Sequence, residues 1–330
     1  MANPIEVDGL TKSFKVPVRE TGVRASVRSL FRRDFRDVRA VEDISFELAP
    51  GEIVGFLGPN GAGKTTTIKM LTGLLHPSSG EARVLGYRPW DRERDLLRRI
   101  ALVMGQRNNL AWDLPAVDSF VLNQAIYGIP EEAFRARQAK YVETLDLGDI
   151  VTKPVRNLSL GERMKMEIVG ALLHGPEVLF LDEPTIGLDV TMQRRLRNFI
   201  LEYNAETGAT VLLTSHYMAD VVALAQRVIV IDHGAILFDG PLSQLADRFS
   251  AHKKLTIEAT DLPDDLSHWG RVLERSPYKV VLEVARESVS RTAAQMLNQA
   301  TVTDLSIEEP PLEDVIDRVF TRAGNDDAED

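Results

Sequence analysis

Near the start of the chain, "PIEVDGLTKSF" alternates apolar and polar positions and reads as a strand with one buried face. "VEDISFELAPGEIVGFLGPN" reads as two further strands around a Pro50-Gly51 turn, the second running into a glycine-rich loop. "KTTTIKMLTGLL" has helical spacing, "HPSSGEARVLG" is a turn followed by a strand, and "RRIALVMGQ" is a strand ending at Gln106. From about Trp112 to Gly148 the pattern is mostly helical, broken at Gly128 and Pro130, and "LSLGERMKMEIVGALL" continues as helix to Leu173. "EVLFLDEP" and "ATVLLTSH" are unbroken apolar runs on either side of the helical "TMQRRLRNFILEYNAE", and "RVIVIDHGAILFDG" is a hairpin turning at His233-Gly234. Apolar strands alternating with helices predict an α/β core around a parallel sheet, buried on both faces. The helical stretch over about 107–174 reads as a subdomain carried by that core.

A boundary is expected near Ser250, closing a first domain over 1–250. Beyond it, "KKLTIEAT", "KVVLEVA", a helix over 287–299, "VTDLSIEE" and a helix "PLEDVIDRVF" predict a small α+β domain over 251–324. The tail 325–330 is acidic and reads as disordered.

Composition narrows the picture. The chain has 330 residues and no cysteine, which excludes disulfides and thiolate metal sites. No apolar run approaches the roughly 18–20 residues of a membrane span, and the start lacks an apolar signal core. Any action at a membrane is therefore expected through a partner or a surface contact. The net charge of −10 argues against a nucleic-acid partner. That charge is uneven. Residues 15–39 carry eight Lys/Arg against three Asp/Glu. There, Val23, Val27, Leu30, Phe31, Phe35 and Val38 recur at helical spacing beside a stripe of Arg24, Arg28, Arg32 and Arg36. The expectation is a basic amphipathic helix, either docked on the domain surface or lying against a membrane or a membrane protein.

The candidate chemistry begins at "GPNGAGKT", which fits G-x-x-x-x-G-K-[ST] between a strand and a helix. Gly58, Pro59, Asn60, Gly61, Ala62 and Gly63 would curl the backbone so that successive N–H groups face a phosphate, followed by Thr66 at the helix start. Lys64 would reach the β- and γ-phosphates and the Thr65 hydroxyl would ligate Mg²⁺. "VLFLDEP" delivers Asp182 and Glu183 at a buried strand end. Asp182 fits a carboxylate associated with Mg²⁺, and Glu183 fits the group that polarises an attacking water. Alone, such an acid pair could equally cap a helix. Together the two motifs define a P-loop NTPase and no more, since kinases, GTPases and motor ATPases share them.

"LSLGE" goes further. It resembles the signature motif of ATP-binding cassette (ABC) ATPases, usually written LSGGQ, with Ser159 and Gly161 kept, Leu160 in place of the first glycine and Glu162 in place of the glutamine. In that family this helix start caps the γ-phosphate held by a second subunit, so the resemblance implies that one chain holds two half-sites. Leu160 is expected to place a side chain close to the phosphate approach. The other family positions follow in order. Gln106 matches the glutamine that links Mg²⁺ and water to the transporter contact, and "GLD", ending at Asp189, matches the loop at the dimer seam. His216 matches the switch histidine, and Phe14 matches the aromatic that stacks on adenine, where it could otherwise be a core residue.

The resemblance implies an ATPase subunit with ATP and Mg²⁺ as cofactors, paired with a second, identical copy and an integral-membrane permease at the cytoplasmic face of the cell membrane. "VGFLGPNGAGKTTTIKMLTGLL", "DEPTIGLD" and "IEEPPLEDVIDRVF" look like subunits of daunorubicin-resistance-type exporters. "LSLGERMKMEI", "LTSHYMAD" and the basic segment resemble a subgroup linked to viologen-type exporters. Two alternatives are less consistent with the chain. A small-molecule kinase or GTPase would leave Ser159, Gly161 and His216 without a role. Translation or DNA-repair members of the family would need two cassettes or a long coiled coil.

Overall fold

A computed structural model describes residues 2–17, 35–105, 109–215, 217–263, 265–311 and 314–316. The chain divides into two compact units, residues 1–239 and 240–330. The basic stretch 18–34, Gln106, His216 and the acidic tail lie outside the described residues.

The first unit opens with β1 (Ile5–Pro17), β2 (Phe35–Leu48) and β3 (Ile53–Leu57), followed by helix α1 (Lys64–Leu71) and β4 (Ser79–Val84). The short helix α2 (Arg94–Leu97) and β5 (Ile100–Met104) lead to helices α3 (Ala116–Tyr127), α4 (Glu131–Thr144) and α5 (Leu160–Leu172). Next come β6 (Val178–Asp182), α6 (Val190–Thr207), β7 (Thr210–Thr214), α7 (Met218–Leu224), β8 (Arg227–Asp232) and β9 (Ala235–Pro241). Strands β5-β6-β7-β3-β8-β9 form one six-stranded sheet, and the registered pairs among β5, β6, β7, β3 and β8 are parallel. Every residue of β3, β6 and β7 is buried, as expected for strands covered on both faces. Parallel pairing brings the C-terminal ends of β3, β6 and β7 to one edge of the sheet, and the glycine-rich loop and the Asp182-Glu183 pair leave from that edge.

Strands β2-β1-β4 make a separate antiparallel sheet, joined to the main core where the Phe46 and Phe56 rings meet at 5.8 Å. This sheet corrects one expectation. Lys15–Pro17 and Phe35–Val38 form a two-stranded ribbon, with Lys15 opposite Asp37 and Pro17 opposite Phe35. Phe35 and Val38, read as positions of a helix, therefore lie in a strand. Cross-strand pairing satisfies these backbone groups, and "FRDV" fits the alternation of a strand as well as the spacing of a helix.

The second unit carries helix α8 (Leu242–Phe249) and an antiparallel sheet of β10 (His252–Ala259), β11 (Arg271–Arg275), β12 (Lys279–Ala285) and β13 (Val302–Glu308) in the order β11-β12-β10-β13. Helix α9 (Val289–Gln299) buries Val289, Ala293 and Met296 against Leu255, Ile257, Val280, Leu282 and Val284 of that sheet.

Candidate nucleotide site

Between β3 and α1 the chain runs through Gly58–Gly63 as an open loop, with Asn60 and Gly61 exposed and Ala62 and Gly63 buried. Gly63 takes φ +109°, and a Cβ there would stand 2.5 Å from the Ala40 carbonyl oxygen, so only glycine allows this loop to close on β2. Lys64 turns back over the loop, donating to the carbonyls of Gly58 at 2.6 Å and Pro59 at 3.0 Å. It is 5% exposed. Burial holds its ammonium below the usual lysine range, while Glu183 and Asp182 oppose that shift. The Thr65 hydroxyl donates to the two Asp182 oxygens at 2.9 and 3.2 Å, and Thr66 follows half-buried in the same turn.

The exit of β6 is laced to the exit of β7. Thr214 donates its hydroxyl to Asp182 Oδ1 at 2.7 Å, and both its hydroxyl and its carbonyl oxygen accept from the Glu183 N–H at 3.1 Å. Glu183 has φ +55°, unfavourable for a side-chain-bearing residue and held here by those bonds. Gly105 donates its N–H to the Asp182 carbonyl at 2.9 Å, and a Cβ on it would lie 2.3 Å from the Glu183 carbonyl oxygen. The residue before Gln106 is thus pressed against the acid pair. Ser215 and Tyr217 bracket His216 at the neighbouring strand exit.

Ser159 is the exposed N-cap of α5. Its hydroxyl accepts from the Glu162 N–H at 3.3 Å, and its own N–H donates to Glu162 Oε2 at 2.8 Å, a reciprocal capping box. These bonds to Ser159 hold the Glu162 carboxyl below the usual glutamate range. Gly161 is buried, and a Cβ on it would meet Met192 Sδ at 2.1 Å. Leu160 points to the side. A Cβ on Gly187 would come within 2.5 Å of Leu160 Cδ2, so the leucine lies over Gly187. Its side chain lies against the chain's own "GLD" loop and remains 39% exposed beside Ser159. Asp189, at the end of that loop, caps α6 by accepting from the Met192 N–H at 2.9 Å.

Phe14 is 38% exposed and outside the core. It pairs across the ribbon with Val38, two residues from the Ala40 carbonyl that abuts Gly63, and the Lys12 ammonium stands 5.2 Å from its ring centre. The ring thus sits partly under the Lys12 ammonium, on the ribbon that borders the glycine-rich loop.

The family model for ABC transporters matches residues 41–186, and the model for the EvrA-like ABC transporter C-terminal domain matches 251–308. The ABC transporter ATP-binding protein NatA of Bacillus subtilis is 35% identical over 217 residues, 64% of this chain and 88% of that protein. This chain belongs to the ABC transporter ATP-binding family. The linearmycin resistance ATP-binding protein LnrL of Bacillus subtilis is 30% identical over 83% of this chain and 91% of its own length. The daunorubicin/doxorubicin resistance ATP-binding protein DrrA of Streptomyces peucetius is 36% identical over 64% of this chain, and this match spans 63% of that protein. Among solved structures, an ATP-binding subunit of an ABC transporter superposes with a TM-score of 0.62 at 26% identity, covering 74% of this chain and 92% of that one. A dimeric cassette, MJ0796, bound to ADP and Pi, shares the fold with a TM-score of 0.60 at 22% identity over 72% of this chain and 98% of its own. The chain is thus an ATP-binding, ATP-hydrolysing subunit of the ABC type.

Several side chains that brace this cassette carry no motif. Thr214 follows an apolar run, and only its position at the end of β7 hints at a role. Asp220 is fully buried and accepts from Thr185, Ser215 and Arg197. Glu167, 3% exposed on α5, accepts the Asn109 N–H at 2.8 Å and the Leu110 N–H at 3.2 Å. Burial raises its pKa, and these backbone bonds counter the rise. The one available signal was a carboxylate set in the otherwise apolar "MKMEIVGALL" face. Next to it a cleft of about 650 Å³ opens, lined by Leu74, Arg98, Ile126, Tyr127 and His174 among others.

Proposed function

We propose that this chain energises a membrane exporter of drugs or other amphiphilic compounds, working as a homodimer bound to a separate integral-membrane permease. What carries the reading is the separation of two half-sites. Lys64, Thr65, Asp182 and Glu183 gather at one strand edge, held by the hydrogen bonds of Thr214. Ser159, exposed at the start of α5, makes no hydrogen bond to Gly58–Thr66 among the described residues. Its hydroxyl proton and the helix N-terminus suit a phosphate brought by a second copy.

In this reading Lys64 and the loop N–H groups bind the phosphates, and Phe14 stacks on the base. Glu183 takes a proton from the attacking water, with His216 beside the γ-phosphate. Thr65 Oγ1 and Asp182 already converge as a pair of oxygen ligands, a fit for Mg²⁺, and Gln106 is a further candidate ligand. The ion, when bound, neutralises charge on the phosphate oxygens. The first unit serves as the cassette, and residues 251–324 of the second serve as an accessory domain. The cleft by Ile126 and Leu74 opens beside Asn109, three residues beyond Gln106, and seats the permease. Export is supported by relatives named for drug and antibiotic resistance and for Nod factor export. The finer likeness to viologen-type exporters rests on "LSLGERMKMEI" and "LTSHYMAD".

The deciding experiment is size-exclusion chromatography of Glu183→Gln. With ATP and Mg²⁺ it is expected to elute as a dimer, with ADP as a monomer, and with Ser159→Arg added as a monomer in both. A wild-type chain that hydrolyses ATP at full rate while strictly monomeric, with Ser159 and Gly161 dispensable, overturns the reading.

A further inference from the structure

Asp220, on α7, is 0% exposed, yet it is a carboxylate. A buried acid in that position needs donors, and three different segments supply them. The Thr185 hydroxyl, two residues after Glu183, donates to Asp220 Oδ2. The Ser215 hydroxyl, directly after β7, donates to the same oxygen at 2.7 Å. Arg197, on α6 and 12% exposed at its side chain, donates through Nη1 to Oδ1 at 3.1 Å and balances the charge. Ser215 also accepts from the Tyr217 N–H at 3.0 Å, which ties Tyr217 to Ser215.

The exits of β6 and β7 are therefore tied twice. Thr214 ties them at the acid pair, and Asp220 ties them one layer further along both segments. The second tie reaches in two directions. Through Thr185 it holds the Pro184–Asp189 stretch that caps α6, and through Ser215 it holds the residues on either side of position 216. None of these side chains meets the glycine-rich loop by any hydrogen bond among the described residues, so the network lies outside the phosphate-binding set. Both strand exits place a hydroxyl on the same carboxylate oxygen. Two such donors sharing one acceptor make the position of each exit depend on the other.

We infer that Asp220 is a positioning residue for ATP hydrolysis, joining the segment after Glu183 and the segment around position 216 into one unit that is set for the hydrolytic step and not for nucleotide binding. The inference rests on the hydrolytic reading of Glu183. It predicts a split between kcat and KM, because a displaced exit misplaces the reacting groups while leaving the glycine-rich loop intact.

The test is a double-mutant cycle on steady-state ATP hydrolysis by the full chain, with Thr185→Val, Ser215→Ala and the pair together. Each single variant is expected to lower kcat by about 10- to 100-fold with KM for ATP changed less than about twofold. The double variant is expected to be no slower than the slower single, as for residues acting as one unit. Losses that multiply in the double variant, or a rise in KM at unchanged kcat, overturn the inference. Asp220→Asn is the direct variant. Since it can unfold the chain, its thermal midpoint is read beside its rate, and the hydroxyl cycle decides whatever its outcome. Failure of the underlying reading shows separately, as retained turnover in Glu183→Gln.

Discussion

Replacing Glu162 by alanine tests whether the capping box sets the position of Ser159. The variant removes the acceptor of the Ser159 N–H bond at 2.8 Å and leaves the longer 3.3 Å bond from the Glu162 N–H to Ser159 Oγ. A lost cap interaction costs about 0.5–2 kcal/mol. Glu162 is half-exposed, so solvent and salt reduce the electrostatic share, and about 0.5–1 kcal/mol remains. For a domain of this size that lowers the thermal midpoint by about 1–4 °C. Glu162→Gln keeps an acceptor oxygen and restores the residue usual in the signature, so it should fall between wild type and alanine.

The pH dependence separates this cap from generic packing. Glu162 titrates below its usual 4.5 in the folded chain because Ser159 donates to the carboxylate. A depressed carboxyl pKa contributes stability above the unfolded value, and that contribution is lost as pH falls through the folded value. Scanning fluorimetry should therefore show the gap between wild type and Glu162→Ala fully present at pH 7 and narrowing below about pH 4.5. The same variant should need more ATP to dimerise in a Glu183→Gln background, because Ser159 is less firmly placed. Equal midpoints at pH 7, or a gap indifferent to pH, would refute the capping argument.

Thr214→Val should reduce ATP turnover strongly and destabilise the chain by about 1–3 kcal/mol in urea denaturation, since it strips a buried hydroxyl from Asp182 and from the Glu183 N–H. Leu160→Gly should leave ATP-driven dimerisation of Glu183→Gln unchanged or weaker, because the leucine lies on Gly187. Tighter dimerisation would show that the side chain obstructs the partner after all. His174 should make the fold weaken in acid. Burial lowers its pKa from 6.5 to about 4, its Nε2 faces the Ile100 carbonyl at 3.0 Å, and its ring stacks on Tyr127 at 4.1 Å. The unfolded chain then binds the proton first, so stability is lost as pH falls from about 6.5 to about 4, by at most about 3 kcal/mol before discounting partial exposure. His174→Leu should flatten that slope in a pH series of urea midpoints, and an unchanged slope would count against the burial argument.

How much of this was legible beforehand depended on whether a contact is local in sequence. The loop from Gly58 to Thr65 and the strand that delivers Asp182 are each written in one short window, with glycine, lysine and an apolar run in fixed order. The α/β class followed from the same windows, because strands buried on both faces leave no polar alternation. The order β5-β6-β7-β3-β8-β9 was not legible, since nothing in "EVLFLDEP" or "ATVLLTSH" states that they are neighbours. The hydrogen bonds between β6 and β7 were missed with it. Thr214 becomes a partner of Asp182, and Asp220 of Thr185, only once β6 and β7 lie side by side.

Leu160 shows the same limit at a single residue. Read along the chain, a leucine in a signature motif is an intrusion beside a phosphate. In the fold, the side chain at the first turn of α5 leans back toward the helix start, as helical side chains do, and finds Gly187 of a loop 27 positions away in sequence, whose own lack of a Cβ makes the room. The substitution and its receptor form one feature, and a motif comparison sees only half of it. The same holds for Glu162, where the change from glutamine keeps the cap and adds charge at a helix N-terminus that favours it. Glu162 is thus accommodated inside the chain by the capping box, while Leu160 rests against Gly187 and stays 39% exposed beside Ser159 at the helix start.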